Sequence, residues 1–158
     1  MRKWSLKKVL KEIITTLLLL FIISFVVNYI RKPNLNQDEL TQYILKYKEE
    51  NKPLVVHFWG IWCPTCKLEA SNIEKISKEY NVITIAVRSG ADKTIESFMK
   101  SHNLTYQVIN DKHGDLAKKF GIEIYPTTLI YDKDGNLKFT EVGYTTTVGL
   151  QARLELSN

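Results

Sequence analysis

Hydrophobic residues follow two regimes along the chain. Residues 13–30 form one uncharged run, IITTLLLLFIISFVVNYI, broken only by scattered Ser, Thr and Asn and showing no polar face. As a helix it would span about 27 Å, close to the hydrocarbon thickness of a bilayer. Beyond Pro33 the apolar positions fall into short, punctuated patterns. Residues 37–50 predict a helix with Leu40, Tyr43, Ile44 and Tyr47 on one face and Asn36 as N-cap, stopped by Lys52-Pro53. An apolar run of strand length follows at 54–59. A helix is expected over 63–80, with Leu68, Ala70, Ile73 and Ile76 pointing inward. Residues 82–87 read as a strand buried on both faces.

The second half continues the alternation. Helix is expected over 92–102, strand over 106–109, and helix over 115–120 with Gly121 at C′. Strands at 127–131 and 137–142 flank the turn-rich stretch 132–136, a hairpin loop, and a helix over 147–156 closes the chain. Asp132 and Asp134 do not make a calcium loop, since the glycine falls at the fourth position and no glutamate closes the ligand set. The order α-β-α-β-α-β-α-β-β-α describes an α/β sandwich with an antiparallel hairpin on its C-terminal side.

Charge sharpens the division. The chain of 158 residues carries a net charge of +5. Residues 1–32 hold seven Lys/Arg (Arg2, Lys3, Lys7, Lys8, Lys11, Arg31, Lys32) against Glu12 alone, while the rest of the chain is nearly neutral. Basicity therefore belongs to the N-terminus, which disfavours a nucleic-acid-binding domain. No A-x-A-like cleavage pattern follows the apolar run, so an uncleaved membrane anchor is expected instead of a removed signal. Five basic residues before the span and two after it orient the N-terminus to the cytoplasm and the remainder to the far side. The division expected is residues 1–34 as tail, anchor and linker, and 35–158 as a soluble domain.

Candidate chemistry centres on the two cysteines, Cys63 and Cys66. Trp62-Cys63-Pro64-Thr65-Cys66 stands where a strand gives way to a helix. Cys63 falls in the N-cap region, where unpaired N–H groups and the helix dipole favour a thiolate. Pro64 falls at N1, the helical position that tolerates a missing N–H. Cys66 lies one turn on, within disulfide reach. Cys63 is thus the expected attacking sulfur and Cys66 the resolving one. A purely structural staple is disfavoured, because closing so short a loop stabilises by only about 2 kcal/mol in the chain-entropy model. Two cysteines rule out a four-cysteine zinc site, and a half site would need two further ligands from His57, His102 and His113; His102 and His113 read as surface residues.

The stretches His57-Phe58-Trp59-Gly60-Ile61-Trp62-Cys63-Pro64-Thr65-Cys66 and Tyr125-Pro126-Thr127-Thr128 resemble the thioredoxin-like superfamily over residues 37–156. Within it the chain is similar to the membrane-anchored TlpA/ResA-like periplasmic thiol:disulfide oxidoreductases. Val87-Arg88-Ser89-Gly90 and Val142-Gly143-Tyr144-Thr145 most resemble the suppressor-of-copper-sensitivity thioredoxin-like group. One departure is that cytochrome-maturation relatives open with a β-hairpin, where 37–50 here reads as helix. The resemblance implies a three-layer sandwich with a mixed sheet and a cis Pro126 facing the cysteines, which would expose the Tyr125 backbone for pairing with substrate. It also implies substrate contact for Trp62, with Pro64 and Thr65 between the thiols, and packing for Trp59. His57 stands where relatives carry a buried acid that moves protons, or is a satisfied core histidine. Glu69 completes the CxxCxxE pattern of the ResA-like relatives, or is a solvated charge.

Together these readings describe a membrane-anchored thiol:disulfide oxidoreductase in the inner membrane with a periplasmic domain. Its expected partners are cysteine-containing secreted proteins and a membrane thiol donor or acceptor. No organic cofactor or metal is implied, and the direction of electron flow stays open. The alternative is a copper-handling protein holding Cu(I) through Cys63, Cys66 and a histidine. A thiol peroxidase has less to support it, since a helical Cys66 partner suits dithiol exchange.

Overall fold

The computed structural model describes residues 6–30 and 52–157. The chain divides into two compact units, residues 1–32 and 33–158. In the first, α1 (Leu6–Ile30) is a continuous helix of 25 residues. Its described side chains include Ile13, Ile14, Leu17, Leu18, Leu19, Leu20, Ile22 and Ile23, all exposed. Among the described residues no helix is long and apolar enough to cross a membrane. The linker at 33–36 and the helix expected over 37–50 lie outside the described residues.

The second unit is built on a five-stranded mixed sheet. Its elements are β1 (Leu54–Trp59), α2 (Pro64–Ile76), β2 (Asn81–Val87), α3 (Asp92–Ser101), β3 (Gln107–Asp111), α4 (Asp115–Lys119), β4 (Thr127–Tyr131), β5 (Leu137–Val142) and α5 (Thr147–Glu155). The strand order is β3-β2-β1-β4-β5. β1 pairs in parallel with β2 and antiparallel with β4, with His57 opposite Thr84 on one side and Thr128 on the other. β5 is an edge strand, and its pairing with β4 slips register between Ile130 and Tyr131.

The two-residue period of β1 sorts side chains between two cores. Val55 and Trp59 face one core with Ile73 and Ile76 of α2, Ile95 of α3, and Leu150 and Leu154 of α5. Leu54, Val56 and Phe58 face the other, with Ile83, Ile85, Ala117, Phe120, Leu129 and Tyr131. Every residue of β1 is buried, so the cysteine-bearing loop springs from a fully covered strand. The hairpin loop is held by Asp132, whose Oδ1 accepts the N–H groups of Asp134 and Asn136. On β5, Lys138 pairs with Asp132 and Glu141 with Arg153.

The inward set expected for α2 needs one correction. Ala70, Ile73 and Ile76 are buried, but Leu68 is 72 % exposed. The face that turns in carries Cys66, Glu69 and Asn72 as well. At about 100° per residue Leu68 lies about 140° from Ile73 and about 160° from Cys66 and Ala70, while a distant loop satisfies the buried Glu69 and Asn72. Replacing Ile73 by Ala should therefore cost about 2–5 kcal/mol of stability. Leu68→Ala should stay within about 0.5 kcal/mol. Urea unfolding of both variants checks the assignment, and equal losses would show that α2 is rotated.

Candidate active site

β1 ends at Trp59, and Gly60, Ile61 and Trp62 carry the chain to Cys63. Three contacts fix this loop. The Ile61 N–H donates to Ser89 Oγ, Ser89 Oγ–H donates to the Val87 carbonyl, and Trp62 Nε1–H donates to the same carbonyl at 2.9 Å. Gly60 is required by contact: a Cβ there would lie 2.6 Å from the Trp62 ring. The indole stays 51 % exposed and meets the Tyr125 ring edge-on at 5.4 Å. Sequence reading did not single out Ser89 or Gly60 as supports. Ser89 reaches Ile61 from the end of a neighbouring strand, and the tightness at Gly60 depends on how the Trp62 ring folds back.

Cys63 is the N-cap of α2, with Pro64 in the first turn. Its Sγ accepts the Cys66 N–H at 3.2 Å, so the sulfur itself satisfies a helix N–H that would otherwise lack a partner. Cys63 and Cys66 form a disulfide. Cys63 Sγ lies 3.7 Å from the Tyr125 carbonyl oxygen, and the Tyr125–Pro126 peptide bond is cis. Pro126 is buried, and its carbonyl accepts the Gly143 N–H at 2.8 Å. The arrangement brings together Trp62, Cys63, Pro64, Thr65, Cys66, Tyr125 and Pro126. Both sulfurs are largely covered, Cys66 more so than Cys63.

The two acid/base candidates have different surroundings. His57 is buried in β1, and its Nδ1 shares a hydrogen bond of 2.9 Å with Thr128 Oγ1 on β4. Burial drives its imidazole down to about 3, so it is neutral at physiological pH. Glu69 is buried one turn after Cys66 and is not the solvated charge that its lysine- and glutamate-rich helix allowed. Its Oε1 accepts the Thr145 N–H at 3.2 Å, while its Oε2 is buried without a partner. Burial pushes the carboxyl up to about 7; the Thr145 bond opposes this and the Glu141 charge adds to it. Asn72 binds the Thr145 carbonyl, the Tyr144 hydroxyl and the Thr147 hydroxyl, tying α2 to the 143–147 loop. His102 is exposed and stacks on Phe98 at 4.1 Å, and His113 is exposed. Among the described residues no group of three His, Cys, Asp or Glu could hold a metal ion. A larger cleft of about 720 Å³ between α3 and β3 includes none of the site residues.

The AhpC/TSA family model matches residues 29–140. A thioredoxin-like protein of Haemophilus influenzae is 28 % identical over 95 % of both chains. The thiol-disulfide oxidoreductase ResA of Bacillus cereus is 28 % identical over 66 % of this chain and 64 % of its own. Among solved structures, StoA of Bacillus subtilis superposes with a TM-score of 0.58 at 25 % identity, covering 65 % of this chain and 81 % of that one. The exposed lipoprotein thioredoxin Etrx1 of Streptococcus pneumoniae gives 0.59 at 26 %, covering 72 % and 89 %.

The two buried groups give stability opposite pH slopes. Glu69 titrates higher in the folded chain than its ordinary 4.5, so its stabilising contribution is present below pH 4.5 and lost as pH rises through about 7. His57 titrates lower than its ordinary 6.5, so its contribution is present above pH 6.5 and lost as pH falls through about 3. Unfolding of the oxidised protein should therefore show Glu69→Gln gaining stability relative to wild type as pH rises from 4.5 to 7. A difference that does not vary with pH would mean that Glu69 ionises at its ordinary value.

Proposed function

The chain belongs to the AhpC/TSA family, and from that premise we propose that this thioredoxin-like thiol-disulfide oxidoreductase is a membrane-anchored exchanger facing an extracytoplasmic compartment. The observation that carries the chemistry is Cys63 capping α2 through its own sulfur, beside the Tyr125 carbonyl. In the reducing direction the Cys63 thiolate attacks one sulfur of a substrate disulfide and expels the other as thiolate. The Cys66 thiolate then attacks Cys63 Sγ and expels the second substrate sulfur, closing the Cys63–Cys66 disulfide. Two electrons pass to the substrate; oxidation is the same path reversed. Glu69, titrating near neutrality one turn away, takes the proton from Cys66. His57, neutral and bonded to Thr128, serves as a neutral hydrogen-bonding partner within the sheet.

Trp62, Tyr125 and Pro126 receive the substrate chain, with Pro64 and Thr65 setting the thiol spacing. The substrates are cysteine-containing extracytoplasmic proteins, and a membrane thiol partner resets the pair. The anchor is supported by the uncharged run 13–30, by the basic residues before it, and by the exposed Ile and Leu side chains of α1. Location beyond the cytoplasm is supported by Etrx1, called an exposed lipoprotein, and by a relative at 26 % identity called a secreted disulfide oxidoreductase of Mycobacterium tuberculosis. Within the family we place the chain nearest the suppressor-of-copper-sensitivity group. The two segments that suggest this carry Ser89, which braces the loop, and Gly143 and Thr145, which bond Pro126 and Glu69.

Cys66→Ser should accumulate mixed disulfides with client proteins, and Cys63→Ser should form none. Thiol-trapping gels read both, and adducts formed through Cys66 would reverse the assignment. The intact chain should also resist extraction by alkaline carbonate, whereas a soluble form beginning near Asn34 would refute the anchor. In reduced protein, Glu69→Gln should flatten the pH dependence of the resolving step around pH 7, as measured by stopped-flow. His57→Asn should leave that profile in place.

A further inference from the structure

Tyr125 has a second neighbourhood. Its carbonyl faces Cys63, and the residue also lines a cavity of about 340 Å³ with Arg88, Gly114, Lys118 and Glu123. Arg88 follows β2 directly, next to the carbonyl that anchors Trp62. Its backbone is in the left-handed region, φ +46°, which an arginine seldom adopts. Its N–H donates to the Asp111 carbonyl, and its Nε–H donates to the His113 carbonyl at 3.3 Å. Gly114 supplies the seat: a Cβ there would stand 2.7 Å from Arg88 Nε and 3.3 Å from Nη2. The guanidinium is thus laid against bare backbone and held by a carbonyl, although the residue is exposed.

Such a group is preorganised for an anion. Among the described residues no carboxylate forms an ion pair with Arg88 or Lys118. The nearby Asp111 carboxylate is occupied, accepting the N–H groups of Leu116 and Ala117. Glu123 is the single acid on the cavity wall, against two cations. A guanidinium with one edge tied to backbone keeps further N–H donors for a carboxylate.

We propose that this hollow is a specificity subsite that receives an Asp or Glu side chain of the client polypeptide, near the cysteine that reacts with Cys63. The subsite rests on the exchange activity proposed above. Because Tyr125 forms a wall of both places, a client chain extended past the disulfide reaches the hollow within about two to four residues, at roughly 3.3 Å each. The carboxylate docks without covalent change and selects which cysteine is presented.

The test uses the full-length reduced protein in detergent micelles. Peptides with one cysteine activated as a thiopyridyl disulfide carry Glu, Gln or Lys two to four residues to either side, and release of pyridinethione is followed. At one or two positions the Glu peptide should react about three- to tenfold faster than the Gln peptide at low salt, with Lys slowest, as expected for a partly exposed ion pair. The preference should shrink as salt is raised. Arg88→Asn, which tolerates the left-handed backbone, and Lys118→Gln should each bring the Glu/Gln ratio toward one. Arg88→Lys should restore part of it. A role for Arg88 confined to bracing the 113–114 loop would change stability and leave the ratio alone. A ratio within about 1.5-fold of one at every position, or one that persists in both variants, overturns the subsite. So does a gain seen only with glutathione disulfide, which would assign the cations to a small thiol. Failure of every peptide, Gln included, removes the exchange activity itself.

Discussion

The site depends on one hydrogen bond, from the Cys66 N–H to Cys63 Sγ. It makes the sulfur the cap of its own helix, so one N–H that needs a partner at the start of α2 finds it in the Cys63 sulfur. That bond demands a helix beginning at Pro64 and a strand ending at Trp59, with Gly60, Ile61, Trp62 and Cys63 between. Proline at the first turn meets the first demand without wasting an N–H. The second is met by burying all of β1 between two cores, so the strand end cannot drift. The loop between is clamped by Ser89 and by the Trp62 indole on Val87. The sulfur is thus positioned by surroundings that are themselves packed and hydrogen-bonded.

Opposite the cap, the 143–147 loop joins two things far apart in sequence. Gly143 bonds the carbonyl of Pro126, and Thr145 bonds Glu69, while Asn72 holds the loop through three further contacts. Helix and proline wall thus share a polar fastening beneath the thiols. In a buried setting each of these bonds matters more than it would at the surface. The unpartnered Glu69 oxygen is the exception.

Local chemistry was legible in the sequence and long-range satisfaction was not. β1, β4 and β5 begin and end where apolar runs and turn residues place them. The cysteine pair, its proline and the strand-to-helix step were equally plain, because each is written in adjacent residues. Glu69 and Asn72 were harder to read. A glutamate on a lysine-rich helix has every local reason to be solvated, and only a loop some 75 residues later supplies the backbone groups that bury it. Leu68 is the mirror case, an apolar residue left outside because polar neighbours took the inner face. Ser89 and Arg88 were legible only as part of a family resemblance, since what they touch belongs to other strands and loops.

The outer strand has a bearing on how copies of the chain meet one another. An open sheet edge offers backbone N–H and C=O groups to any neighbouring chain. Crowding of copies favours the oldest hazard of open sheets, stacking edge to edge into fibres. β5 is an edge built to resist it. Lys138 and Glu141 interrupt its apolar positions, each tied to a charge elsewhere in the same domain, and the register slip at Ile130/Tyr131 spoils its regularity as a template. Charges that look like incidental surface decoration thus keep crowded copies apart as separate molecules.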